Sequence, residues 1–336
     1  MDGIMMKKVN NGTNHNNINP PHWRVFCYIS DMNAIWVAND NLKDGSFTQT
    51  KAEVLCTVSN LAFVKHFYPN TKTILFVDDF TKEYYNSLGV LNLFDEVNDS
   101  ILNRRYSIDP KIFWAYSKIL AQRSVDGPTI TFDLDFRIFT DISKIGFFDG
   151  DVSCLMLETI TDKYFYSSHE KCLNGVQIDD KFAWDDKALN VCLLYFGNND
   201  FKNLYCDWVI DYMYQVSFNY KNINKNVGDN FILFAEQYML NQLANRENKT
   251  VRLLVDDYQK GPLPSYVKSC GVNWSTIQNY IYHFGTDKRF IRKKGKEHQI
   301  EVQTVSDITN YHIKDNKFLK VFNDIVMMDD DQKCFG

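Results

Sequence analysis

Thr129-Ile130-Thr131-Phe132-Asp133-Leu134-Asp135-Phe136 is the stretch on which the reading of this 336-residue chain turns. Four β-branched or aromatic residues run into an Asp-x-Asp, after the break at Gly127-Pro128. Ile130 and Phe132 alternate with two threonines, which predicts a strand. Its carboxyl edge would carry two acids, and in open α/β sheets that edge is where ligands bind. Alternation along a strand lets Asp133 and Asp135 share one side while Leu134 points away. Two carboxylates so close repel each other, and a hard divalent cation that also takes phosphate oxygens relieves the repulsion. A strand capped by two acidic loop residues remains the plain alternative, so the flanking sequence decides.

The chain has room for one large α/β domain or two small ones. Hydrophobic residues make up 45% and aromatics 15%, enough for a substantial core. A formal net charge of −5 argues against a nucleic-acid binder that works by general electrostatics. Eight cysteines are scattered without a Cys-x-x-Cys pair, as expected of reduced thiols in a cytoplasmic protein. No apolar run precedes Pro20, and no stretch of about twenty uncharged apolar residues occurs, so neither a signal peptide nor a membrane span is expected.

Residues 1–21 are polar and Asn-rich and read as a disordered leader. Trp23 to Ile29 is the expected first strand. Lys51 to Phe67 has apolar residues at helical spacing and stops before Pro69. Thr73 to Val77 reads as a strand that ends in Asp78-Asp79, Thr81 to Leu88 as a helix stopped by Gly89, and Phe94 to Val97 as a short strand. Asp109-Pro110 looks like a helix start, an acid followed by proline at the first helical position. The acidic strand follows. The order β-α-β-α-β-α-β predicts a largely parallel sheet wound with helices. Beyond Asp141, strands are expected over Val152–Leu157, Asn190–Phe196, Val251–Val255 and Tyr280–His283, with helices over Phe201–Val216 and Asn230–Leu243. Residues 160–187 read as an irregular excursion. The terminal stripe of Phe318, Leu319, Val321, Phe322 and Ile325 predicts a docking helix and a frayed tail.

Four segments in this order resemble the GT-A-fold glycosyltransferases, most nearly the glycogenin and galactosyltransferase-like family 8. They are Phe113-Trp114-Ala115-Tyr116-Ser117-Lys118, then Phe132-Asp133-Leu134-Asp135-Phe136 running on to Asp141-Ile142, then Leu189-Asn190-Val191-Cys192, and last Tyr282-His283-Phe284-Gly285-Thr286-Asp287-Lys288. Glu236-Gln237 is a weaker fifth match. The chain departs from the family pattern after Asn190, where Val-Cys replaces a small residue and glycine, and at Arg289, where proline is usual.

The resemblance implies a single GT-A-like domain over 22–300, a nucleoside-binding half (22–142) and an acceptor half (143–300), with a C-terminal helix and tail over 301–336. It implies Mn²⁺ or Mg²⁺ held by Asp133, Asp135 and His283, an imidazole favouring the softer Mn²⁺. It places Tyr28, Lys118, Asp133, Asn190, Gly285 and Lys288 against a nucleotide-sugar donor, a UDP-sugar being expected, and a glycan or protein as the acceptor. Glu236 and Asp186 are the acids to help the acceptor or the sugar through the reaction, with Asp185 a further candidate. Retention of configuration is implied as well. Trp114 and Trp184 are candidates for lining a sugar site, although core packing is the favoured reading. Two readings compete. One is a haloacid-dehalogenase-type, Mg²⁺-dependent phosphatase using Asp133 and Asp135. Against it, that signature has Thr or Val where Arg137 stands, and it opens its domain rather than following a hundred residues. The other is an inactive sugar-nucleotide-binding protein.

Overall fold

The computed structural model describes residues 32–38, 51–103, 107–110, 112–134, 136–138, 141–160, 172–173, 175–177, 182–219, 231–255, 281–283 and 315–327. A mixed α/β fold results, with a central eight-stranded sheet flanked by helices. Its first half is parallel. β1 (Asn33–Ala38) lies between β2 (Lys72–Val77) and β4 (Thr129–Phe132), and β3 (Glu96–Asn98) extends the sheet beyond β2. Ala34, Ile35, Trp36 and Ala38 are all fully buried, the pattern of a parallel strand covered on both faces. Trp36 stacks on Phe132 at 5.1 Å and meets the edge of Phe94 at 5.4 Å, which binds β1 to its neighbours through large apolar area. The sequence reading had no strand here. Asn and Ala are poor strand formers, and their run shows no alternation. The strand expected over 23–29 and the leader over 1–21 lie outside the described residues.

α1 (Lys51–Phe67) and α2 (Asp79–Ser87) match their expected positions closely. Asp78 caps α2 by accepting from the Thr81 amide at 2.8 Å, and Gly89 leaves the helix with φ of 71°. The next helix is a correction. Phe113 N donates to Asp109 O and Tyr116 N to Phe113 O, so turns precede the helix. α3 begins only at Tyr116 and runs to Ser124.

After β4 the sheet changes sense. β8 (Leu193–Phe196) pairs antiparallel with β4, in register Thr129↔Phe196 to Phe132↔Leu193. β6 (Val152–Thr159) pairs antiparallel with β8 and with β7 (Lys187–Leu189), and parallel with β9 (Val251–Val255). α4 (Asn199–Asn219) covers this half with a second helical stretch, a π-turn over Phe234–Tyr238 that runs into α5 (Met239–Arg246). β5 (Phe136–Ile138) leaves the main sheet and pairs antiparallel with β10 (Ile281–His283). α6 (Asn316–Val326) buries Phe318, Val321, Phe322 and Ile325 against the cluster that contains α1, as a docking helix should. No described helix is long and apolar enough to cross a membrane. The described cysteines Cys56, Cys154, Cys172, Cys192 and Cys206 carry thiols, all of them buried.

Candidate active site

The strand order 3-2-1-4 fixes where a ligand would sit. From β1 the chain winds outward to β2 and β3, then returns to place β4 on the other side of β1. Such a reversal opens a crevice at the carboxyl ends of the two central strands. Asp133 is the first residue beyond β4, on that edge.

The strand ends one residue before the acid pair. Asp133 N donates to Cys192 O at 2.9 Å, and Phe136 N donates back to Asp133 O at 3.0 Å, closing a turn. Asp133 therefore opens a turn between β4 and β5 rather than continuing the strand. Asp135 itself lies outside the described residues. Directly behind the turn, β10 pairs with β5 so that His283 stands opposite Phe136 and Tyr282 opposite Arg137. The fold thus brings the backbone of His283 to the acid turn from the far end of the chain. The His283 side chain, Tyr28, Gly285 and Lys288 lie outside what the structure describes.

Lys118 is the centre of the described site. Its Nζ is 2.9 Å from Asp133 Oδ1, 2.7 Å from Glu236 Oε1 and 3.2 Å from the carbonyl of Val191. It stands on the first turn of α3, between the end of β4 and the π-turn that carries Glu236. The lysine is 8% exposed and the glutamate 1%. Burial pulls the Lys118 ammonium down, but the fields of Asp133 and Glu236 outweigh it and hold the group above its ordinary range. Burial, aided by Asp133, pushes the Glu236 carboxyl above its usual value, and Lys118 opposes the rise. A buried cation between two acids is sustained only when both partners stay, because removal of either leaves an uncompensated charge.

Glu236 sits within the π-turn, inside the helical stretch over residues 231–246. A π-turn inserts one extra residue and recurs at functional sites. The Tyr205 hydroxyl donates to the Glu236 carbonyl at 2.9 Å and fixes the turn from α4.

Asn190 lines the same corner without touching Lys118 directly. Its amide nitrogen donates to Glu158 Oε1 at 2.8 Å and its oxygen accepts from Cys192 N. The loop it shapes supplies the two carbonyls that meet Lys118 and Asp133. Glu158 escaped the sequence reading; its signal was an acid near the end of the apolar strand β6. Asp186 stays at the surface, with its side chain 66% exposed and 3.3 Å from Lys187. Its neighbour Asp185 is held by side chains of α5, taking Asn241, Gln242 and Asn245 amides at 2.7–3.1 Å. Trp184 packs on Phe234 and Tyr238 of the π-turn, with the left-handed φ of 49°, whereas Trp114 is 46% exposed just before α3.

No trio of His, Cys, Asp or Glu side chains able to hold a metal occurs among the described residues. The donor set that includes Asp135 and His283 reaches beyond them.

Residues 57–314 match a family profile, DUF6734, described as a family of unknown function. The chain belongs to this family. Its matched span takes in α3, the acid turn, the π-turn and β10. No curated protein matches. Among solved structures, the chain is similar to the glycosyltransferase GlyE of Streptococcus pneumoniae TIGR4, at 9% identity and a TM-score of 0.43. That alignment covers 84% of this chain and 64% of GlyE, so the chain spans less than two thirds of that protein's length. It is also similar to mouse xyloside xylosyltransferase 1 in its apo form, at 11% identity, TM-score 0.42, and 76% and 98% coverage. A third is an active-site mutant of LgtC, at 12% identity, TM-score 0.37, and 82% and 95% coverage. These likenesses stand as likenesses; the architecture above rests on the chain's own strand order and register.

Proposed function

We propose that this chain is a divalent-metal-dependent glycosyltransferase that moves a sugar from a nucleotide-diphosphate donor, a UDP-sugar by preference, to a hydroxyl of a glycan or protein. One observation carries the reading. A buried lysine is held between two acids at the carboxyl edge of β4, where the sheet reverses, and the strand bearing His283 is paired directly behind the acid turn. Such an edge gathers charge of both signs at a place where ligands bind.

In this reading Asp133, Asp135 and His283 hold Mn²⁺ or Mg²⁺, which when bound neutralises charge on a departing diphosphate. Lys118 supplies an ammonium at the same edge, a second source of electrostatic stabilisation for the leaving group. Glu236, buried against Lys118, orients that ammonium. The carbonyls of Val191 and Cys192 set the spacing between α3 and the acid turn, and Asn190 with Glu158 faces the sugar side of the corner. Lys288 and Gly285 would close the phosphate side, and Tyr28 would meet the base.

The test is binding of a nucleoside diphosphate with and without Mn²⁺. Asp135→Ala should leave the melting temperature nearly unchanged and abolish the metal-linked part of binding. His283→Ala should weaken the Mn²⁺ dependence more than it weakens the fold. Full Mn²⁺-linked binding in Asp135→Ala would take the acid pair out of the site. Release of phosphate from simple phosphoesters in Mg²⁺, without nucleotide binding, would favour the phosphatase reading.

A further inference from the structure

Trp114 differs from the other aromatic side chains near the candidate site in how much of it faces water. Ile112, Phe113 and Ala115 around it are buried, yet the indole is 46% exposed. Core packing does not account for the exposed part, and a large apolar face held in water marks a place where something binds. The backbone beneath the ring is fixed. Phe113 N donates to Asp109 O at 2.9 Å, and Tyr116 N closes a turn across Trp114 by donating to Phe113 O at 3.0 Å. The turn is anchored to α4. The Phe113 and Tyr212 rings meet edge to face at 6.1 Å, and the Asp109 amide donates to Ser217 Oγ at 3.0 Å. Phe218, the residue after that anchor, is 78% exposed and adds a further aromatic ring. A platform held in this way loses little freedom when a ligand settles on it.

We infer that the acceptor is a glycan and that Trp114 is the platform on which one of its sugar rings stacks. The inference rests on the sugar-transfer reading above and uses no metal ligand. Trp114 lies two residues before α3, whose first turn carries Lys118 to Asp133, so it stands at the same carboxyl edge of the sheet. Its anchor is α4, over the half of the sheet beyond β4, and not the β1–β3 half expected to take the nucleoside. A pyranose presents apolar C–H groups on one face and hydroxyls around its rim. A flat indole takes the first, and polar groups take the second. Asp133, with its side chain 33% exposed, offers carboxylate oxygen at that edge. A peptide is held by strand addition or in an apolar groove. Here a turn and a helix end carry the two rings, with no strand between them.

The test uses the full chain grown with fluorotryptophan, whose six tryptophans are followed by fluorine magnetic resonance. Trp114→Phe removes one resonance and so assigns it. The labelled chain is titrated with maltose, cellobiose, lactose and xylobiose, with a peptide of serine and proline, and with nucleoside diphosphates. At least one of the oligosaccharides should move the Trp114 resonance saturably, whether or not a nucleoside diphosphate is present. Trp114→Ala should weaken that oligosaccharide about tenfold, and Trp114→Phe should weaken it less. Neither variant should change the rise in melting temperature that the nucleoside diphosphate gives. No movement with any oligosaccharide, or movement with the peptide alone, would overturn the glycan assignment while nucleotide binding stands. Movement with a nucleoside diphosphate alone would make Trp114 a base platform and overturn it as well. Saccharide binding by a chain that binds no nucleotide would remove the acceptor role together with the transfer reading.

Discussion

Two buried lysines show how surroundings set the state of one residue type. Lys118 lies between acids and is held above its ordinary range. Lys202 on α4 is fully buried too, yet its ammonium meets only the carbonyls of Val125 and of Gly127, the latter at 3.0 Å, and burial pushes it down to about 8. An unfolded lysine titrates near 10.5, so between about pH 8 and 10.5 the unfolded chain binds more protons than the folded one. Stability attributable to Lys202 should therefore rise with pH across that window. Chemical denaturation at about pH 7.5 and 9.5 of the native chain and of Lys202→Met reads it. The stability gap between them should widen in favour of the native chain at the higher pH, and a constant gap would contradict the assignment. Lys118 was singled out in the sequence through a segment that resembles the glycosyltransferase pattern. Its partner Glu236 was picked out as well, but not the ion pair, because side chains far apart in sequence announce no contact. Lys202 gave no signal at all, as a lysine in an amphipathic helix reads as solvated.

At the scale of elements, the π-turn and its anchorage decide where Glu236 points. Asp185 accepts amide donors from Asn241, Gln242 and Asn245, together with the Lys187 backbone amide at 3.0 Å, and so ties β7 to α5. The Tyr238 hydroxyl adds a bond to the Asp185 carbonyl at 2.7 Å. Asp185→Ala would leave the buried Gln242 amide without its acceptor and Asn241 with the Lys187 carbonyl alone, which costs about 1–3 kcal/mol. It should also loosen nucleotide binding, because the π-turn is the next element along the same helix. Urea denaturation and a binding titration on the same variant check both. A loss of stability with unchanged nucleotide affinity would confine Asp185 to scaffolding. α1 was placed well from sequence, because a long apolar run without Gly or Pro stops at Pro69. The start of α3 was not, because Asp109-Pro110 is a good helix start that here opens a turn. That Asp133 lies just beyond β4 rather than within it was not legible, because the pattern cannot show that Cys192 captures its amide and ends the strand.

At the scale of the molecule, the chain joins a parallel half to a mixed half across β4 and β8, and the candidate site lies at that seam. α6 covers the outer side of α1, which explains why α1 is buried around most of its circumference rather than along one stripe. Phe322→Ala should cost about 3 kcal/mol of stability, the usual cost of emptying a buried phenylalanine site. Nucleotide affinity should be unaffected, since Phe322 packs in the cluster around α1. A calorimetric melt with a parallel titration checks this, and a fall in affinity would mean that α1 transmits strain to the acid turn. Of the first half, α1, β2, α2 and β3 were readable, whereas β1 was missed because its run shows no alternation. The sense of β6 to β9 was not, since antiparallel and parallel strands with both faces buried carry similar residues.

The central claim is that the edge beyond β4 is a metal-dependent nucleotide-sugar site. Thermal melts of the full chain with nucleoside diphosphates and their sugars, with and without Mn²⁺, test it most directly. A ligand at a hundred times its Kd stabilises a protein by about 2.7 kcal/mol, a readily measured rise in melting temperature. Stabilisation by one nucleoside diphosphate that requires Mn²⁺ and disappears in Asp133→Asn is the predicted result. A flat screen across all bases, or stabilisation indifferent to Mn²⁺ and to Asp133, would contradict the claim.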